Sequence, residues 1–413
     1  MRNILKDRRF FVFKAGSVGF VAIALALLCV FSCNNLLVLG GGSLVIAMPG
    51  TRAATASRFT IELTGTNGTT QSKTLAGGTT TAQFDDLAPD TYDVLVKGID
   101  EAGAVVLRGS SSATVVAGKT ASTTVEFLVE VVNNFDSLQQ AMTAGGTVYV
   151  VNDITVTGSL IINQDVTIRA LNKNVTLNHT GSSSLFTVQN SATLTIGGGD
   201  YRLTVDGNGN GNEKTRSTAL VQINSGTVDL YGTITNGVNN DSAGGIKVNG
   251  SSSTLNMYDG AIVSNCRCLN EWGIGGAIGL DAGNMNMYGG FITGNSAQDA
   301  SAVYVNDQSV FTMSGGTISS NSNDIAINIS SSTFKIGGGA LISSDDKVSL
   351  KTSPAITIIS PLTGGNSVAT LTLKDGFSSG SSVLIAENGV TLADEVGKFV
   401  LTSGTIKSDG TLQ

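Results

Sequence analysis

The chain is poor in the residues on which most catalytic and metal chemistry depends. Its 413 residues include one histidine, one tryptophan, four cysteines and four prolines. A single histidine removes most His-dependent chemistry, whether multi-histidine metal centres or Ser-His-Asp triads. So little proline beside 41% apolar residues argues against a disordered tail and against collagen. Charge is also sparse, at 13% of residues, and aromatics make up 6%. The basic residues Arg2, Lys6, Arg8, Arg9 and Lys14 crowd the start, so the remainder is more acidic than the overall −7. Such a surface would not displace counterions from a polyanion, and nucleic acid is not expected as a partner. Glycine is what abounds, with 52 residues, against an ordinary frequency of about 7%. The length suits two or three domains with ample chain for a core.

After the basic start, Ala15 to Phe31 is uncharged and mostly apolar and leads into Ser32-Cys33. A positive segment, a short apolar run and a small residue before a cut form the layout of a secretory signal over residues 1–33. Val30-Phe31-Ser32-Cys33 resembles a bacterial lipobox, which implies lipid attachment at Cys33 and a mature chain held on a membrane. Phe31 stands where that motif has a small residue; a plain cleaved signal and an uncleaved anchor are the alternatives. No later stretch reaches the 18 or so apolar residues needed to span a bilayer.

From 40 to 131, short alternating segments are separated by turn residues: Ser43–Met48, Phe59–Leu63, Ala82–Phe84, Tyr92–Val96, Ala104–Leu107 and Thr123–Leu128. Strands at such spacing predict a small β-sandwich. Phe84-Asp85-Asp86-Leu87-Ala88-Pro89-Asp90-Thr91-Tyr92-Asp93-Val94 resembles the F-x-x-L-x-P-G-x-Y-x-V corner of bacterial immunoglobulin-like or carboxypeptidase-regulatory-like modules. Asp90 replaces the usual glycine, so the turn type is open. Such modules usually act as spacers.

Residues 135–413 read as one repeat domain, with 355–413 less regular. Phe135 to Met142 carries the helical apolar spacing, as a cap before the first coil. Strand spacing then takes over, and it repeats. Leu255-Asn256-Met257-Tyr258-Asp259-Gly260-Ala261-Ile262 returns as Met285-Asn286-Met287-Tyr288-Gly289-Gly290-Phe291-Ile292, then as Phe311 to Ile318 and Phe334 to Leu341, with a looser copy at Val228 to Ile234. Each coil is too thin to bury its own apolar face, so stacking must bury it. Glycine and asparagine (Asn265, Asn295, Asn321) supply the left-handed turns. The expected class is therefore all-β: a small β-sandwich followed by a parallel β-helix, right-handed by the general crossover preference.

Ser137-Leu138-Gln139-Gln140-Ala141 through Gly145-Gly146-Thr147-Val148-Tyr149-Val150 resembles the opening of pectate-lyase-like β-helix domains. Gly275-Gly276-Ala277-Ile278 resembles the GGA-[ILV] element of polymorphic outer-membrane-protein repeats, whose F-x-x-N companion is approximated, with one extra residue, by Phe291 to Asn295. The resemblance implies a fold far more than a function.

Polysaccharide lyases and hydrolases share that fold and need clustered carboxylates with a positioned base. Here Asp206, Asp229, Asp259, Asp281 and Asp307 are scattered singly, and the Asp345-Asp346 doublet falls at an apparent coil turn. His179 sits in a polar Asn-His-Thr stretch that reads as a turn or surface position. Cys266 and Cys268 lie in a stretch that lengthens one coil, together with Glu271 and Trp272. They read as a local disulfide or two quiet thiols rather than an incomplete zinc set. Asp206 to Ser217 is a second protrusion without calcium-roll spacing. Tyr231, Tyr258 and Tyr288 each follow an inward residue, so alternation points them outward in a row ended by Ser314. Such a ladder stabilises neighbouring strands and also suits a ligand, with Trp272 as a further candidate contact.

The expected function is a non-enzymatic lipoprotein of a bacterial envelope, outer membrane or cell surface. It would present a rigid surface to a glycan or to a host or envelope protein, with no cofactor and no metal. The alternative is a polysaccharide lyase or glycoside hydrolase on uronate-containing glycans.

Overall fold

The computed structural model describes residues 40–48, 56–99, 103, 105–209, 218–270, 275–322, 325–351 and 355–413. Cys33, Glu271 and Trp272 lie outside the described residues, as does most of the 206–217 protrusion.

The N-terminal unit is a β-sandwich-like pair of sheets. Gly42–Ala47 lies between Thr81–Leu87 and Thr120–Thr124, and the larger sheet orders Thr70–Ala76, Arg58–Gly65, Asp90–Ile99, Val105–Val115 and Glu126–Val132. Period-two alternation turns Phe59, Ile61, Leu63, Val94 and Val96 of one sheet onto Leu44 and Ile46 of the other, in a core separate from that of the repeats. The strand Thr70–Ala76 was not expected. It is mostly polar and exposed, with Leu75 packed against the core, and such an edge carries no apolar alternation to betray it. At the corner, Tyr92 donates its phenol hydrogen to the Ala88 carbonyl at 3.0 Å. The left-handed residue there is Asp86, at φ 56°, so position 90 needs no glycine. Instead the Asp90 carboxylate accepts from the Thr66 hydroxyl and from the Thr91 and Asn67 amides. Those bonds, Thr66 first, hold it below the usual carboxylate range.

The repeats form a parallel β-solenoid of about nine turns. Its first face runs from the strand Gly146–Val150 to Leu384–Ala386, its second from Ile154–Val156 to Leu341–Ile342, and its third from Leu160–Ile162 to Phe399–Leu401. Register is set by the inward columns. Leu230 pairs with Met257, Met257 with Met287, Met287 with Met313 and Met313 with Ile336, all fully buried. One position along the core, the rings of Phe311 and Phe334 stack at 5.0 Å. Each such side chain contributes roughly 1.5–3 kcal/mol of burial, available only once the next coil is in place.

Two devices close the opening end. The helix Phe135–Ala144 is capped by Asn134, whose side chain accepts from the Ser137 amide at 2.9 Å, and it buries Leu138, Ala141 and Met142. The sandwich strand Glu126–Val132 then pairs in parallel with Gly146–Val150. The larger sandwich sheet is therefore continuous with the first face of the solenoid, and the unpaired edge that a free first rung would present is covered.

Several expectations about single residues are corrected. His179 is neither a turn nor a surface residue: it ends the strand Val175–His179 and is fully buried. Alternation puts it inward after Val175 and Leu177. Its ring nitrogens lie 3.1 Å from the Val156 carbonyl and 2.7 Å from that of Ser183, which offsets the loss of water. Asn265 adopts the left-handed conformation as expected. In later coils Gly294 and Ser320 adopt it instead, and Asn295 and Asn321 turn inward. Of the two states expected for Cys266 and Cys268, the structure has the thiols, buried in the coil wall where Arg267–Cys268 pairs with Val238–Asn239. Asp345 is exposed, but Asp346 is fully buried.

Candidate functional site

Tyr231, Tyr258 and Tyr288 leave the first face one residue after the inward Leu230, Met257 and Met287, so strand register brings them together. Their rings stack with centroids 4.4 Å and 5.3 Å apart and planes inclined by 4° and 25°. Tyr231 and Tyr288 are exposed and Tyr258 is half-buried between them. Burial pushes the Tyr258 phenol above its ordinary value, and the nearby Asp229 carboxylate adds to the effect. Mutual stacking has a chemical consequence. Both faces of Tyr258 are consumed, so the middle of the row offers a partner ring edges and hydroxyls instead of flat π faces.

A second row runs beside the first, two residues back along each strand. Asn256 Nδ2 donates to Asp229 Oδ1 at 2.8 Å, and Asn286 Nδ2 donates to Asn256 Oδ1 at 2.9 Å. The sequence signal for this row is the middle position of Leu-Asn-Met and Met-Asn-Met, and it is weak because single polar residues between apolar ones look only like an outward strand face. Together the rows make a rigid strip of phenols and carboxamides, donors and acceptors at rung spacing. Trp272, the remaining expected contact, lies outside the described residues.

The third face carries a different cluster. Lys351 Nζ lies 2.9 Å from Asp299 Oδ2, and Asn328 Nδ2 donates to Asp299 Oδ1 at 2.7 Å. Lys247 reaches Asp281 at 3.7 Å. Tyr304 shares an outward column with Gly279 and Asn328. Burial pushes its phenol up; Lys351 opposes this, while Asp299 and Asp281 reinforce it. A phenol so held stays protonated near neutral pH, suited to donating a hydrogen bond.

Inside the wall between second and third faces runs a buried polar column. Asn295 Oδ1 accepts from the Cys266 amide at 2.9 Å, and Asn321 Oδ1 accepts from the Asn295 amide and side chain at 3.1 and 3.0 Å. Asp346 ends the column by accepting from the Asn321 amide at 3.1 Å, while its second oxygen has no hydrogen-bond partner. Burial raises the Asp346 carboxyl from its ordinary 3.8. The folded state thus binds this proton more tightly than the unfolded chain does. The stability it contributes is complete below the ordinary carboxylate value and is lost as pH rises through the folded value. Asp346→Asn is expected to raise the thermal midpoint at neutral pH, with the gain shrinking toward about pH 4. A pH series of unfolding curves checks this, and a gain independent of pH would contradict it.

Among the described residues no group of three or more His, Cys, Asp or Glu side chains is placed to hold a metal ion, and no helix is long and apolar enough to cross a membrane. Comparison with protein-family models, with curated proteins and with solved structures returns no match to this chain.

Proposed function

We propose that this protein is a non-enzymatic bacterial envelope lipoprotein whose solenoid presents a rigid binding surface to a glycan or to a host or envelope protein. In this reading a lipid on Cys33 holds the chain on the outer membrane or cell surface. The immunoglobulin-like sandwich carries the pectate-lyase-like solenoid away from that membrane, and their shared sheet makes the mount stiff. The observation that carries the proposal is the strip formed by the tyrosine and amide rows. It spends ordered polar and aromatic groups on solvent, at a spacing that a repeating ligand could match.

The test is to probe the mature chain against arrays of glycans and of matrix and envelope proteins. Any ligand retained should bind about tenfold or more weakly to the Asn286→Ala, Tyr288→Ala double variant. Ile161→Ser, a change at an exposed position of the third face, should leave binding intact. Clean arrays would overturn the proposal. Mass spectrometry of the mature protein tests the anchor separately, through acyl groups on Cys33.

The Asp299–Lys351 pair beside Tyr304 favours a second reading, a polysaccharide lyase or hydrolase acting on uronate glycans. Release of unsaturated or reducing ends from such polymers, lost in Lys351→Ala, would put that reading first. Against it stand the ion pairing that occupies Lys351 and the protonated state of Tyr304, neither of which supplies a free base.

A further inference from the structure

The tyrosine row ends abruptly on one side, and what replaces it is empty space. Ile196 pairs with Leu230, so Gly197 occupies, one rung earlier, the place that Tyr231 occupies in its own coil. Gly198 and Gly199 follow. One face of Tyr231 is covered by Tyr258, with rings almost parallel. The opposite face looks across Gly198, where even a Cβ would lie 3.4 Å from the ring. The missing side chains leave an open cavity of about 380 Å³, lined by Gly197–Gly199 and Tyr231 and bordered by Asp200, Tyr201, Arg202 and Asp259. That volume falls within the roughly 300–1,000 Å³ of small-molecule sites.

We infer that this slot binds one hexopyranose unit of a glycan, stacked on the outer part of the Tyr231 ring as the next member of the row. This rests on the reading of the solenoid as a binding surface and names the ligand class for one end of it. A pyranose combines an apolar C–H face with a rim of hydroxyls. The slot matches both: one aromatic face at the wall, with the Asp200 carboxylate, the Tyr201 phenol and the Arg202 guanidinium in its polar lining. Arg202 donates through Nη1 to the Thr233 hydroxyl at 3.0 Å. Arg169 stands one rung before Gly197 in the same outward column, beside Gly199. Cations and a carboxylate together supply donors and acceptors for sugar hydroxyls and do not exclude a sugar acid.

Gly199 allows a clean test. Its φ is not in the left-handed region, and a Cβ there meets nothing nearer than Arg169 Cδ at 3.7 Å, so Gly199→Phe places a ring between Arg169 and Tyr231 without straining the backbone. Saturation-transfer NMR on the whole mature chain would use methyl glycosides of glucose, galactose, mannose and N-acetylglucosamine, with glucuronate and galacturonate as charged counterparts. At least one of these glycosides should bind. Gly199→Phe and Tyr231→Leu should each abolish the signal with the far-ultraviolet circular dichroism unchanged, whereas Ile161→Ser, at an exposed position of the third face, should keep it. Binding that survives both slot variants would overturn the inference. If Tyr288→Ala alone removes binding, the broad strip is the site and the slot is not. If no glycoside binds while an array ligand does, the slot falls and the surface proposal stands.

Discussion

Asn295→Ala should be among the most damaging single substitutions in the solenoid, lowering the thermal midpoint by about 10 °C. The Asn295 side chain is fully buried and makes four hydrogen bonds. It accepts from the Cys266 amide and donates to the Val263 and Thr293 carbonyls and to Asn321 Oδ1. Alanine leaves these partners in a wall that water cannot reach. Each unsatisfied group costs about 1–3 kcal/mol, although the carbonyls retain some backbone pairing, so a total near 3–5 kcal/mol is reasonable. At about 2–4 °C per kcal/mol for a unit of this size, the shift should be plain in a melting curve followed by circular dichroism. Asn295→Asp is the discriminating control, because it keeps the acceptor for Cys266 but loses the three donations. It should fall between alanine and the parent at acid pH and approach alanine once ionised. A midpoint within about 2 °C of the parent for Asn295→Ala would show that the column contributes little.

The second large effect is expected at the other end, and its signature is spatial. Glu395 is buried beyond the last regular coils. Its carboxylate accepts from the Leu362 amide at 3.1 Å and pairs with Lys398 at 2.9 Å, while Lys398 also donates to the Leu362 carbonyl at 2.7 Å. This three-way contact fastens the short helix Leu392–Glu395 onto the end of the strand Ile356–Leu362. Glu395→Ala strands a buried amide and removes the counter-charge of a three-quarters buried lysine, a cost of about 2–4 kcal/mol. In a stack where each coil touches only its neighbours, that cost falls on the terminal coils. Hydrogen exchange should therefore lose protection in Ile356–Leu362 and Phe399–Leu401, while Thr254–Met257 and Asn284–Met287 keep theirs. Glu395→Gln, which retains an acceptor for Leu362, should restore much of it. Uniform loss along the whole solenoid would refute the local account.

Sequence and structure agree best where a residue type repeats at the same place in each coil. The Met257, Met287 and Met313 column and the outward tyrosines were legible because strand alternation fixes which way a side chain points, and the repeat fixes what lies above it. Asn295 was legible as a coil corner but not as a buried bracket. Whether an asparagine there bends the chain or bonds inside it depends on whether the residue before it, Gly294 here, has already made the turn. Asp346 joined the same column without resembling it, through a contact 25 residues apart. His179 looked polar because its sequence neighbours are polar, yet its contacts are carbonyls brought to it by the coil.

What the chain determines by itself is therefore local and periodic: short strands, glycine-rich corners, a helix at the opening, and one face of each strand turned to a shared interior. The tertiary structure alone decided three things. The sandwich strand Glu126–Val132 pairs with the first rung, the polar edge Thr70–Ala76 is a strand because Arg58–Gly65 lies beside it, and three glycines beside Tyr231 leave a cavity instead of a plain bend. The physical reason is common to all of them. Each depends on which residues of neighbouring strands or coils come to lie side by side, and segment lengths that vary from coil to coil hide that alignment until the chain is folded.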